Sequence, residues 1–161
     1  MQPITEREVR ASFVNATRGE VTRLRVPSLD EVDWDGLDFL GWVDHKAPQQ
    51  AAVVVPHEGG VAGIKLYRNA PVGGSQRMCS WCCTLHPGTG VSLVAANRAG
   101  RAGRDGNTTG TDVCADLRCS DYARGRATPG VVGLARETLT AEERSARLRR
   151  NLETFVRRVL R

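Results

Sequence analysis

Residues 78–88 read MCSWCCTLHPG and pack three cysteines and a histidine into the eight positions from Cys79 to His86. The remaining two cysteines of the chain lie downstream in VCADLRCSDY, residues 113–122. Cys79 and Cys82 form a C-x2-C pair, Cys114 and Cys119 a C-x4-C pair, and 31 residues separate the two. C-x2-C is the spacing at which one tight turn aims two sulfurs at a single ion, and zinc takes four thiolates or imidazoles in a tetrahedron. The second pair coincides with a short helix expected to start around Ala115, and a helix N-terminus favours the thiolate form. Between the pairs, a strand at Val91–Ala95 and a β-compatible run ending at Thr111–Val113 are enough for a hairpin.

Knuckle, hairpin and then ligands at a helix start is the order of a treble-clef finger. The spacing therefore points to zinc held by Cys79, Cys82, Cys114 and Cys119. Four thiolates close the coordination shell and leave no position for water or substrate, so such a site is structural. Zinc binding contributes on the order of 10–16 kcal/mol in zinc-finger peptides, as much as the net stability of a whole domain. Cys83 and His86 compete for places in the shell. Cys83 could replace Cys82, and His86 could complete a set of three cysteines and one histidine. Adjacent cysteines point in different directions, however, and Cys83 otherwise reads as a small buried apolar residue. His86 otherwise reads as a surface or knuckle-capping histidine. A thioredoxin-like C-x-x-C needs a βαβ pattern that is missing here. A Cys83–His86 nucleophile would rest on an arbitrary separation, with His45 and His57 as the other histidine bases.

The chain has 161 residues, enough for one domain with a real hydrophobic core. Its net charge of +5 is unevenly spread. Residues 1–60 carry six basic and ten acidic side chains, whereas residues 61–161 carry seventeen and eight. The second half thus attracts polyanions or an acidic protein face. The N-terminus MQPITEREVR lacks an apolar signal core, and no apolar run reaches transmembrane length. A cytoplasmic protein is expected. Reduced thiols and an odd cysteine count then argue against a disulfide framework.

ITEREVRASFVNA is expected to be a helix, with Thr5 and Glu8 as a capping box and Ile4, Val9, Phe13 and Val14 on one face. A strand is expected at Phe39–Val43. AAVVVPHEGGVAGIKLYRN reads as two strands joined by HEGG. NRAGRAGRDGNTTGT reads as a basic, turn-prone loop whose Arg98, Arg101 and Arg104 are candidates for contact with phosphate or an acidic protein. It lacks the GK[ST] of a phosphate loop. The acids Asp30, Glu31, Asp33, Asp35 and Asp38 lack calcium-loop spacing. RATPGVVGL reads as a linker. The chain ends in a helix capped by Thr140 and Glu143, with Leu148, Leu152, Phe155, Val156, Val159 and Leu160 on one face. Its arginines read as a solvated face.

The stretch from Met78 to Gly125 resembles the C-terminal treble-clef domain of the FusB-type, elongation-factor-G-binding proteins. The matching features are the C-x2-C followed by a threonine and a histidine, the strand VSLVAA, the loop GRAGRDGNTTGT, the run C-A-D-L-x-C-S-x-Y, and Arg124-Gly125. The resemblance covers roughly residues 30–160. It implies an α+β fold, a treble-clef zinc finger built into a small mixed β-sheet domain with flanking N- and C-terminal helices. It also implies that the same four cysteines hold zinc and that the protein is not an enzyme.

As the resemblance implies, the partner is elongation factor G, whose release from the ribosome the family promotes, rescuing translation stalled by fusidic acid. Family members have a separate N-terminal helical bundle, so this chain is expected to be a single FBP-type domain over 1–161. Residues 1–29 would form an N-terminal helix and linker, 30–137 the sheet and zinc core, and 138–161 the C-terminal helix. Resistance-type members carry a basic residue and an aromatic just before the third cysteine. Here the aromatic position holds Asp112, which leaves Trp81 in the knuckle as the candidate aromatic anchor; the other reading of Trp81 is that it simply packs over the zinc. The alternative reading is a zinc-finger protein that binds ribosomal RNA or the ribosome directly through its basic half.

Overall fold

The computed structural model of the protein describes residues 1–71, 73–130 and 137–161. Two threonines open the first two helices by the same device. The Thr5 hydroxyl accepts the Glu8 N–H while the Glu8 carboxylate accepts the Thr5 N–H, starting α1 at Glu6–Ala11. Thr17 and Glu20 repeat the arrangement for α2 at Arg18–Arg23, which the sequence reading did not anticipate. Helices of six residues do not persist alone in water, so tertiary contacts hold both. Val9 is fully buried, and Lys65 reaches from the sheet to the Glu20 carboxylate at 2.7 Å, holding Glu20 down to about 2. The expected longer first helix stops at Ala11 because the next residues join the sheet. The Val14 N–H donates to the Gly63 carbonyl and the Gly63 N–H to the Ser12 carbonyl, each at 2.9 Å. Glycine permits that approach, since a Cβ at Gly63 would lie 2.5 Å from Ser12 Oγ.

The strands are β1 (Leu40–Val43), β2 (Gln50–His57), β3 (Gly60–Arg68), β4 (Arg77–Met78), β5 (Leu85–His86), β6 (Val91–Asn97) and β7 (Thr108–Cys114). Five of them form one antiparallel sheet in the order β1-β2-β3-β6-β7. β4 and β5 form a separate two-stranded ribbon. The expected hairpin joins β2 to β3 through Glu58 and Gly59, at φ of 47° and 79°, as a two-residue primed turn requires. Pro56 lies beyond Val54, the last β2 residue paired with β1, where a missing N–H is tolerated.

Both faces of β2 are covered, which explains why residues 51–55 form an unbroken apolar run instead of alternating. On one face Ala52, Val54, Leu40 and Trp42 pack with Val9, and Phe13 meets Trp42 edge-on at 6.5 Å. On the other, Val53, Ile64, Leu66, Val94 and Val113 pack with α5 (Ala141–Leu160). The Thr140–Glu143 capping box starts α5, and Leu148, Leu152, Phe155, Val156 and Val159 are its buried stripe. Leu160 does not belong to that stripe: it is 39% exposed, one position past the face that Val159 completes.

Two further expectations are corrected. The basic segment is not wholly a turn, because Gly100–Arg104 forms the short helix α3. The helix near the last cysteine, α4, runs from Cys119 to Arg124 and does not start at Ala115. The chain turns first, with the Leu117 N–H donating to the Cys114 carbonyl, and α4 ends at Gly125 in the left-handed region. The expected linker falls partly on residues 131–136, which lie outside the described residues. Among the described residues no helix is long and apolar enough to cross a membrane.

Candidate metal centre

Cys79 and Cys82 sit on the turn that joins β4 to β5. The Cys79 N–H donates to the Thr84 carbonyl and the Cys83 N–H to the Cys79 carbonyl, each at 2.9 Å, which folds the knuckle. Cys83 takes a φ of 60° to close the turn, and that left-handed residue sends its side chain away from its neighbour's. Cys114 is the last residue of β7 and Cys119 the first of α4. The Ser80 N–H donates to the Asp112 carbonyl at 2.8 Å, which fixes the knuckle to the edge of β7.

The sulfurs of Cys79, Cys82, Cys114 and Cys119 all lie within 4.8 Å of one another, and all four residues are buried. Cys79 and Cys119 are 3.7 Å apart, and Cys82 and Cys114 3.5 Å. A tetrahedron with zinc–sulfur bonds of about 2.3 Å has sulfur–sulfur edges of about 3.8 Å, so the cage suits that ion. Charge points the same way. Hydrogen bonds from Cys114, and then from Cys119 and Cys79, pull the Cys82 thiol down. Burial, followed by the neighbouring sulfurs, pushes the Cys119 thiol up. Four sulfurs this close cannot all ionise on their own, and a divalent cation is what lets them.

Each of the four expected ligands is in the cage, and the two competitors are outside it. Cys83 is half-buried, its Sγ is 3.8 Å from Asn151 Nδ2, and burial raises its thiol. His86 is neither a ligand nor a surface residue. It is 3% exposed, its Nε2 lies 3.2 Å from Cys114 Sγ, and its ring stands edge-on to Tyr122 at 4.6 Å. A ligating thiolate only accepts, so Nε2–H donates to Cys114. The Trp81 N–H similarly approaches Cys79 Sγ at 3.4 Å. Gly90 gives the imidazole its room, since a Cβ there would lie 2.6 Å from the Cβ of His86.

The proposed aromatic anchor is corrected. Trp81 is 1% exposed, packed edge-on to Phe39 at 5.6 Å and tilted against Phe155 at 5.4 Å, and has no surface to offer a partner. It packs the knuckle onto α5, which also holds the knuckle backbone. Asn151 Nδ2 donates to the Trp81 carbonyl at 2.9 Å and Arg147 Nη2 to the Cys82 carbonyl at 3.0 Å. Sequence reasoning missed both residues; a polar side chain on a helix carries no mark of the distant carbonyl it meets.

The other expected contact residues do not gather at one spot. Arg101 and Arg104 are exposed on α3, and Arg98 is half-buried at the end of β6. Asp112 lies near the opposite end of β7 and pairs with Arg77 at 2.6 Å. A family model described as the FBP C-terminal treble-clef zinc-finger matches residues 8–159. No curated protein and no solved structure matches.

Proposed function

Because the chain belongs to the FBP C-terminal treble-clef zinc-finger family, we propose that it is a non-catalytic, zinc-stabilised binding protein whose partner is elongation factor G. By the same reading it helps that factor leave the ribosome, as the FusB-type proteins that the sequence resembles do. The choice of partner follows the resemblance and the family, and the observation that supports a non-catalytic role is the closed cage. All four donors are thiolates, all are buried, and they leave no coordination position for a reacting molecule. In this reading the ion shapes a surface, and the work is done by contact.

Loss of Trp81 as an anchor and the presence of Asp112 where resistance-type members carry an aromatic leave charge as the main attraction. Affinity for elongation factor G then falls as salt rises. Titration calorimetry of the zinc-loaded protein with purified elongation factor G is the test. Heat and co-elution at low salt are expected, weakening as salt is added. No heat and no co-elution at roughly tens of micromolar protein overturn the reading. Binding to ribosomes stripped of the factor in that case promotes direct ribosomal-RNA contact instead.

A further inference from the structure

Two basic segments of the chain lie far apart in sequence and meet in the fold. The Ala99 N–H, at the entry to α3, donates to the Val159 carbonyl in the last turn of α5 at 2.7 Å. This bond caps one of the open carbonyls at the end of α5. It also brings the segment that carries Arg98, Arg101 and Arg104 against the helix end that carries Arg157, Arg158 and Arg161. Arg101 is 88% exposed and Arg157 68%, and Arg104, Arg158 and Arg161 are exposed as well. Against these six cations stand Asp105, 3.6 Å from Arg101, and Glu153, 2.9 Å from Arg157. Glu20, in the cleft beside Arg98 and Arg104, is already committed to Lys65.

The opposite end of α5 has the reverse character. Arg144 holds the Ala123 carbonyl of α4 and Arg149 holds Asp38. Most of the cations there are paired: Asp33, Asp38 and Asp121 bind Arg126, Arg124 and Arg118, and Glu137 binds Arg147. From Arg144 to Val159 α5 rises about 22 Å. The molecule is therefore electrostatically polar along this helix, with spent charge at one end and free cations at the other.

We infer that the surface formed by α3 and the C-terminal turn of α5 binds the sugar–phosphate backbone of a nucleic-acid duplex. The choice of a phosphate polymer over a protein follows from what accompanies the arginines. The centres of protein interfaces are enriched in aromatic anchors, whereas this surface carries Leu160, 39% exposed, as its one exposed large apolar residue among Gly, Ala and Asn residues. Guanidinium forks match phosphate oxygens bidentately. Neither α3 nor the last turn of α5 carries an aromatic to stack on a base, so recognition is of the backbone and not of the sequence. The opposite end, where the charges are paired, offers the same polymer no comparable attraction, which sets the orientation of approach. The inference does not depend on the elongation-factor reading.

Fluorescence anisotropy tests it, with a fluorescein-labelled RNA hairpin and a DNA hairpin of the same sequence titrated with the zinc-loaded protein. Neutralising about four phosphates predicts a log–log salt slope of roughly −3 to −4. Arg101→Ala/Arg104→Ala and Arg158→Ala/Arg161→Ala should each cut the slope by about two and weaken low-salt binding about tenfold or more. Zinc content and melting temperature should be unchanged in both, and Arg118→Ala should behave as the parent. Equal affinity for the two hairpins assigns the contact to phosphate alone, and preference for RNA adds the duplex form or its 2′-hydroxyls; both support the inference. No binding at low salt overturns it, as does a slope that neither double variant changes. Competition by polyglutamate as strong, charge for charge, as by RNA would make the surface an acidic-protein site and also overturn it.

Discussion

The sulfur of Cys83 differs from that of Cys82 by direction alone. Both belong to one turn, yet Cys82 faces three other sulfurs and Cys83 faces Asn151. Serine at Cys79, Cys82, Cys114 or Cys119 should each cost the ion, because a three-thiolate cage binds it poorly. Serine at Cys83 should keep about one zinc per chain, and a metal assay of the purified variants reads both outcomes. His86 acts one step further out, donating to the Cys114 thiolate while Tyr122 holds its ring. Removing a group that hydrogen-bonds a metal ligand typically costs 10–100-fold in affinity, roughly. His86→Ala should therefore retain the ion in buffer and lose it to a chelator at about a tenth of the concentration the parent withstands. Unchanged competition would mean that the 3.2 Å approach contributes nothing to the site.

Among the elements, α5 is the one on which the others depend. Its stripe packs on four strands of the sheet, and Phe155 touches Trp81 of the knuckle. A buried Phe→Ala change costs about 3–5 kcal/mol, so Phe155→Ala should lower the melting temperature severely. The start of the same helix offers a milder test. Thr140→Ala removes the oxygen that accepts the Glu143 N–H, a loss of about 1 kcal/mol that denaturant titration can resolve, with zinc content unaffected. The elements most plainly written in the sequence are the ones defined by neighbours. The capping boxes of α1 and α5 place partners three residues apart, and the β2–β3 turn needs only Glu58 and Gly59. α2 and α3 were harder to anticipate because neither carries a buried residue, so neither leaves a periodic apolar pattern.

At the scale of the whole molecule, metal site and core are one structure. Trp81 lies two residues from Cys79 and one from Cys82, and it fills the core between Phe39 and Phe155. Asn151 and Arg147 tie the same turn to α5. Removing the ion with a chelator should therefore loosen more than the knuckle. The near-ultraviolet circular dichroism of the buried tryptophans, Trp81 and Trp42, and the far-ultraviolet helix signal should fall together at the same chelator concentration. A far-ultraviolet signal that outlasts the tryptophan signal would show that α5 and the sheet stand without the zinc.

By itself the sequence determined the ligand set, the order knuckle–hairpin–helix, the capped starts of α1 and α5 and the central hairpin. Each depends on spacings of a few residues, over which backbone geometry leaves few choices. The tertiary structure alone decided that Trp81 is core and not anchor, that His86 supports Cys114 from outside the cage, and that Leu160 misses the apolar stripe. It alone joined α3 to the end of α5 in one basic surface. These outcomes rest on contacts such as Asn151 with Trp81 and Ala99 with Val159, between residues roughly sixty or more apart. Over such separations a side chain's environment is set by how whole elements pack, and no local pattern encodes that packing.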